Sequence, residues 1–220
     1  GKVWCNGSYL GEFEGGYTPN YFNLTGLLKE ENELLLLCDN RLTPDSLPPK
    51  IKRHHNPGWH TYAGVHRSVY LETLPPDYFV SLRTRPELRS KDESSASLTC
   101  DLLVKEGPNS PRATVEGRIA EPRGAIVGRQ QFERVGAHIS AGVALWRATF
   151  EIEEPQLWSP ENPQRYAITL ELSQEGGVFD RVSEDLALRT IEVVGEELLL
   201  NGEPIYLKGI CKHEDHPSLG

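Results

Sequence analysis

A chain of 220 residues can hold one large or two ordinary domains with a sizeable core. Its hydrophobic fraction of 38% and charged fraction of 25% are ordinary for a globular protein, and its net charge of −9 speaks against nucleic acid, which selects basic faces. No run approaches the ~18 apolar residues of a membrane-spanning helix, and the start lacks the basic, apolar and small-residue blocks of a secretion signal.

Almost nothing reads as helix; strand patterns recur between Gly, Pro, Asn and Asp clusters, which predicts a mainly β protein built from sandwiches. The strand Lys2-Val3-Trp4-Cys5 runs into Asn6-Gly7, two residues that tolerate positive φ and so predict a tight hairpin. Leu34 to Cys38 is a continuous apolar run, as expected of a strand buried on both faces. Ser68 to Glu72 reads as another strand, and Pro75-Pro76 as a linker with two fixed φ angles.

The stretch from about residue 77 to 188 alternates more regularly. Leu98, Cys100, Leu102 and Val104 share one face, as do Trp146, Ala148, Phe150 and Ile152, and again Tyr166, Ile168, Leu170 and Leu172. A period of two with polar partners predicts one packed and one wet face. About seven such strands in about 110 residues predict an immunoglobulin-like sandwich without the cysteine pair of antibody domains. Trp4, Trp146 and Trp158 are assigned to cores, and no catalytic constellation falls in this stretch.

Further on, Leu198-Leu199-Leu200, Asn201-Gly202 and Ile205-Tyr206-Leu207 predict a second hairpin, with Pro204 at a strand start or edge and Lys208 to Cys211 prolonging its second strand. One hairpin cannot bury both its faces. That expectation, together with the absence of methionine, predicts that the chain is an internal piece of a longer protein. Cys5, Cys38, Cys100 and Cys211 lack zinc-ligand spacing and read as free thiols, with a reducing, cytoplasmic compartment as the expectation. The tetrad His213-Glu214-Asp215-His216 fits four readings: a metal site, a catalytic site, part of a substrate pocket or a solvated loop. The spacing of the two histidines suits a helix face, but a strand precedes them and Pro217 follows, which counts against metal.

Five motifs in order along the chain carry a resemblance: G-K-V-W-C-N-G at 1–7, E-G-G-Y-T-P at 14–19, T-Y-A-G-V-H-R-S-V-Y-L at 61–71, L-W-S-P-E-N-P at 157–163, and L-R-T-I-E-V at 188–193 leading to L-L-N-G-E-P-I-Y-L-K-G-I-C-K-H-E-D-H-P at 199–217. As a set they resemble glycoside hydrolase family 2. C-D-N-R-L-T-P-D-S-L-P-P at 38–49 and Y-A-G-V-H-R-S-V at 62–69 resemble β-glucuronidases, and the H-E-D-H-P ending resembles β-galactosidases.

The resemblance implies three domains: the C-terminal part of a sugar-binding jelly roll over 1–75, an immunoglobulin-like sandwich over 76–188, and the first hairpin and strand of a (β/α)8 barrel over 189–220. It also implies a retaining β-glycosidase that hydrolyses terminal β-linked sugars with two glutamates and no cofactor. Both glutamates belong to later strands of a barrel of ~250 residues, so both are expected downstream of Gly220. None of the glutamates in this chain is then a catalytic candidate, and the chain alone is expected to be inactive. His213 is expected to reach a sugar hydroxyl, since imidazole can donate or accept. Asp215 joins it in the substrate pocket, with Glu214 orienting neighbours or bracing the strand end. The family's sugar-reaching aspartate falls at Gly58, which leaves Trp59 or His60 as substitutes. Gly64 is expected to permit a close backbone approach, and Arg67 to pair with a carboxylate of the sandwich or barrel. The expected partners are a carbohydrate substrate and, for the intact enzyme, further copies of itself; neither nucleic acid nor membrane is expected. The rival reading is a non-catalytic carbohydrate-binding or spacer module.

Overall fold

The computed structural model describes residues 1–46, 50, 62–89, 94–107, 113–136, 139, 142–174 and 177–212. Among them lie thirteen strands and no helix, so the protein is mainly β as its sequence predicts. The chain divides into two compact units, residues 1–71 with 209–220, and residues 72–208.

In the first unit β1 (Lys2–Cys5) pairs antiparallel with β2 (Ser8–Glu12) and with β3 (Leu34–Leu37), in the order β2-β1-β3. Asn6 and Gly7 close the predicted hairpin with φ of 51° and 81°, the double positive φ that matches strand twist. The Asn6 side chain then reaches beyond its own turn. Its Nδ2 donates to the Leu27 carbonyl (2.8 Å) and to Asn32 Oδ1 (2.9 Å), while its Oδ1 accepts from the Glu33 amide (2.9 Å). One side chain thus carries the loop into β3. Burial departs from expectation: Val3 and Cys5 are buried, but Leu34, Leu35 and Leu37 are exposed. β3 is an edge strand of this sheet. Ser68 to Glu72 form no strand, and no described strand pairs with them; Val69, Tyr70 and Leu71 are exposed.

The second unit is built on seven strands: β4 (Tyr78–Leu88), β5 (Ser95–Lys105), β6 (Thr114–Ala120), β7 (Ile126–Arg134), β8 (Val143–Glu153), β9 (Tyr166–Gln174) and β10 (Gly177–Leu186). Their order is β10-β9-β6-β7-β8-β5-β4. β7 changes sheets along its length, pairing with β6 from Ile126 to Phe132 and with β8 at Glu133 and Arg134. One sheet is therefore β4-β5-β8 and the other β6-β9-β10, joined through β7: the immunoglobulin-like arrangement the alternation predicts. Tyr166 opens β9, and its hydroxyl accepts from the Gln156 amide (2.8 Å), a tyrosine corner between the sheets.

The three predicted apolar faces are buried together. Cys5 and Cys100 are buried as small hydrophobes, and loss of solvation pushes the Cys100 thiol up to about 12. At the centre of the core Phe150 stacks edge-on to Phe132, with ring centroids 6.3 Å apart. Gly117 and Gly128 face it: a Cβ on Gly117 would lie 2.8 Å from Phe132 and 3.0 Å from Phe150, and one on Gly128 3.1 Å from Phe150. Glycine here provides room for a ring, not a special backbone angle.

The wet faces carry ion pairs in register. Asp101 lies across from Arg147 (2.5 Å) and also meets Arg85 (2.8 Å), while Glu171 lies between Arg118 (3.3 Å) and Arg181 (2.7 Å). The Arg147 hydrogen bond, opposed by partial burial and aided by Arg85, holds the Asp101 carboxyl below its ordinary range.

Beyond the sandwich, β11 (Ile191–Val194), β12 (Glu197–Leu200) and β13 (Glu203–Pro204) form a small antiparallel sheet in the order β11-β12-β13. The second hairpin closes at Asn201 and Gly202, with φ of 53° and 83°. β11 is not among the predicted strands. The ladder ends at Pro204, short of the expected strand through Cys211; Tyr206, Leu207 and Ile210 are exposed, and no described strand pairs with them.

Gly117→Ala should destabilise the sandwich by about 1–3 kcal/mol through overpacking against Phe132 and Phe150, read as a shift in urea midpoint without a change in slope. Asp101→Asn should cost about 0.5–1 kcal/mol at neutral pH. The folded-state pKa of Asp101 is depressed, so its contribution is complete above the unfolded value and is lost as pH falls through the folded one. The urea midpoints of variant and wild type should therefore converge only below the ordinary carboxylate range.

Candidate functional site

Two of the motifs that are distant in sequence meet in the first unit. The His66 ring lies 6.1 Å from Tyr17, edge-on at 63°, and 6.1 Å from Tyr62 at 44°. Tyr17 belongs to E-G-G-Y-T-P, where Gly15 turns the chain at φ 87°; Tyr62 and His66 flank Gly64, at φ 80°. Among the described residues a Cβ on Gly64 would meet nothing within 4 Å, and its left-handed backbone favours glycine. Tyr17 is 56% exposed and His66 half-buried, so part of the cluster reaches the surface. Such a surface can pack against the C–H face of a sugar and exchange a hydrogen bond with a hydroxyl. Arg67 is exposed.

The second unit contains a junction where the sandwich passes into the β11-β12-β13 sheet. The Trp158 amide donates to the Leu188 carbonyl (2.8 Å), and the Trp158 carbonyl accepts from Asn201 Nδ2 (3.1 Å). Asn201 Oδ1 accepts from the Thr190 amide (3.0 Å), and the Asn201 amide donates to the Thr190 carbonyl (3.0 Å). The Arg189 guanidinium lies over the Trp158 indole, 4.5 Å from its centroid. Trp158 is thus a half-buried platform and not the core residue its sequence suggests; Trp4 is likewise half-buried, paired with Tyr9 at 5.3 Å, and of these three Trp146 alone is core. The buried Thr190 hydroxyl has no hydrogen-bond partner among the described residues.

Beside this junction, a groove of about 340 Å³ opens between β4 and β10, over Leu82, Ile168 and Leu186 with Thr84 and Glu184 on its rim. The two strands meet at their starts, where the Phe79 amide donates to Asp180 (2.9 Å).

His213, Glu214, Asp215 and His216 lie outside the described residues, as do Gly58, Trp59 and His60. Gly220, the position beyond which both catalytic glutamates are expected, also lies outside the described residues. The structure therefore places none of the pocket residues that the sequence nominates, neither His213 nor Asp215. Among the described residues no three His, Cys, Asp or Glu side chains gather as metal ligands. No helix of the described residues is long and apolar enough to cross a membrane. The His66 cluster and the Asn201 junction escape a reading of the sequence, because both depend on residues brought together from distant segments. Asn-Gly turn chemistry is the one sequence signal that bears on the second.

The family model described as "Glycosyl hydrolases family 2" matches residues 78–189, more than half of the chain. The chain belongs to glycosyl hydrolases family 2. A β-galactosidase of Thermoanaerobacter pseudethanolicus is 26% identical over 227 residues, spanning 100% of this chain and 28% of that protein. A β-glucuronidase of Felis catus is 26% identical over 240 residues, spanning 97% of this chain and 34% of that protein. Among solved structures, a β-glucuronidase of Ruminococcus gnavus in complex with D-glucaro-d-lactam superposes with a TM-score of 0.80 at 25% identity, covering 100% of this chain and 36% of that one. The chain therefore spans about a third or less of the length of these curated relatives.

Thr190→Val, which removes the unsatisfied hydroxyl at constant shape, should leave the fold intact and raise stability by about 1 kcal/mol. A lower melting temperature in the variant would mean that the hydroxyl has a partner in solution.

Proposed function

We propose that this chain contributes β domains to a retaining β-glycosidase that hydrolyses terminal β-linked sugars. The observation that carries the reading is coverage. Relatives named β-galactosidase and β-glucuronidase align with essentially the whole chain, while the chain spans only 28% and 34% of them. In this reading residues 1–75 belong to a jelly roll, 76–188 form the sandwich, and 189–220 lead into a (β/α)8 barrel whose active site gathers at the C-terminal ends of its strands. The two carboxylates, about 5–5.5 Å apart for retention, reside in the remainder of that barrel, downstream of Gly220. His213, at the end of the segment that follows the second hairpin, hydrogen-bonds a sugar hydroxyl, and Asp215 lines the same pocket.

The substrate belongs to the β-galactoside or β-glucuronide class, the two activities in the relatives' names. A glucuronide needs a cationic or polar clamp for its carboxylate, and a galactoside needs donors and acceptors for a neutral hydroxyl. The test is hydrolysis of aryl β-galactoside and aryl β-glucuronide by the full-length protein, with the 220-residue chain alone as the inactive control. His213→Ala in the full-length protein should lower kcat/KM about tenfold or more, at unchanged melting temperature. Near-normal turnover by that variant would remove His213 from the pocket. Turnover by the short chain would overturn the division of labour.

A further inference from the structure

The Asn201 side chain does more than close a turn. An Asn-Gly turn needs only positive φ at its two residues, and glycine would serve at either. Here the amide of Asn201 also makes two hydrogen bonds directed away from the turn, to Thr190 N–H at 3.0 Å and to the Trp158 carbonyl at 3.1 Å. These come from two segments of the sandwich: the connection from β8 to β9, and the strand exit after β10. Both are themselves tied, through the Trp158 amide to the Leu188 carbonyl at 2.8 Å and through Arg189 stacked on the Trp158 indole. The connection is also stiffened where Ser159 and Asn162 exchange backbone hydrogen bonds of 3.0 and 3.1 Å.

From this geometry we infer that Asn201 is a positioning residue: its side chain fixes the second hairpin on the sandwich and thereby sets the direction in which the chain leaves that hairpin. The inference rests on the proposed glycosidase for its catalytic consequence, and on the hydrogen bonds alone for its mechanical one. The carboxamide is suited to the task because it presents one acceptor and one donor at once, to a backbone N–H and a backbone C=O. Aspartate would keep the acceptor for Thr190 but would turn an oxygen toward the Trp158 carbonyl; glycine would keep the turn and lose both bonds. Displacement of a substrate-binding group by even about 1 Å is enough to lower turnover strongly.

The test uses Asn201→Gly and Asn201→Asp in the full-length protein, with amide hydrogen exchange and aryl β-glycoside kinetics as the two readouts. In Asn201→Gly the Thr190 amide should exchange at least about tenfold faster, while amides in β5 and β9 keep their protection; in Asn201→Asp, Thr190 should stay protected. Both variants should lose kcat about tenfold with KM within about twofold, the pattern of an active site displaced and not of substrate contacts removed. Unchanged Thr190 exchange in Asn201→Gly overturns the brace. Faster exchange with wild-type kcat overturns the positioning role. A wild-type protein inactive on both glycosides refutes the glycosidase reading, and with it the catalytic consequence, while exchange still decides the brace.

Discussion

The sandwich depends on one packing constraint: Phe150 needs a socket, and two glycines on neighbouring strands leave it open. Close-packed interiors tolerate neither a void nor an extra methyl at such a point. Gly117 on β6 and Gly128 on β7 hold the space, and Phe132 closes it edge-on. Because β7 belongs to both sheets, the ring packs against the strand that joins them. The paired charges on the outer faces follow from that register, since Asp101 and Glu171 meet their arginines only when the strands are aligned.

A second device is used twice. Both tight hairpins close on Asn-Gly, and in both the asparagine side chain ties the turn to segments far along the chain: Asn6 to Leu27, Asn32 and Glu33, and Asn201 to Trp158 and Thr190. Asparagine accepts the left-handed conformation at little cost, and its carboxamide copies the donor-acceptor pair of a peptide group. A turn so anchored cannot pivot as a free hairpin can. A junction of this kind holds one element in register with another.

Legibility in the sequence varies with the range of the interaction. The alternating faces of β5, β8 and β9, the seven-strand count and both Asn-Gly turns are readable, because each depends on a period of two or on a dipeptide's allowed φ. Apolar composition alone misleads at Leu34 to Leu37 and at Ser68 to Glu72, where a strand's burial or its existence depends on a partner that composition cannot supply. The short ladder after Asn201 and the unpredicted β11 have the same cause. Trp158 departs from its expected place because a large aromatic beside a strand reads as core, whereas its indole here is a platform for Arg189. The ring cluster at His66 is beyond a linear reading altogether.

By itself, then, the sequence determined the β class, the sandwich, the turn positions and the family, since local periodicity, turn stereochemistry and motif order are properties of the chain. Only the tertiary structure decided that Phe150 sits between Gly117 and Gly128, that β7 serves two sheets, that Tyr17 and Tyr62 converge on His66, and that Asn201 grips the sandwich. Each of these is a contact between residues remote in the chain, and its energy exists only once the backbone has brought them within a few ångströms.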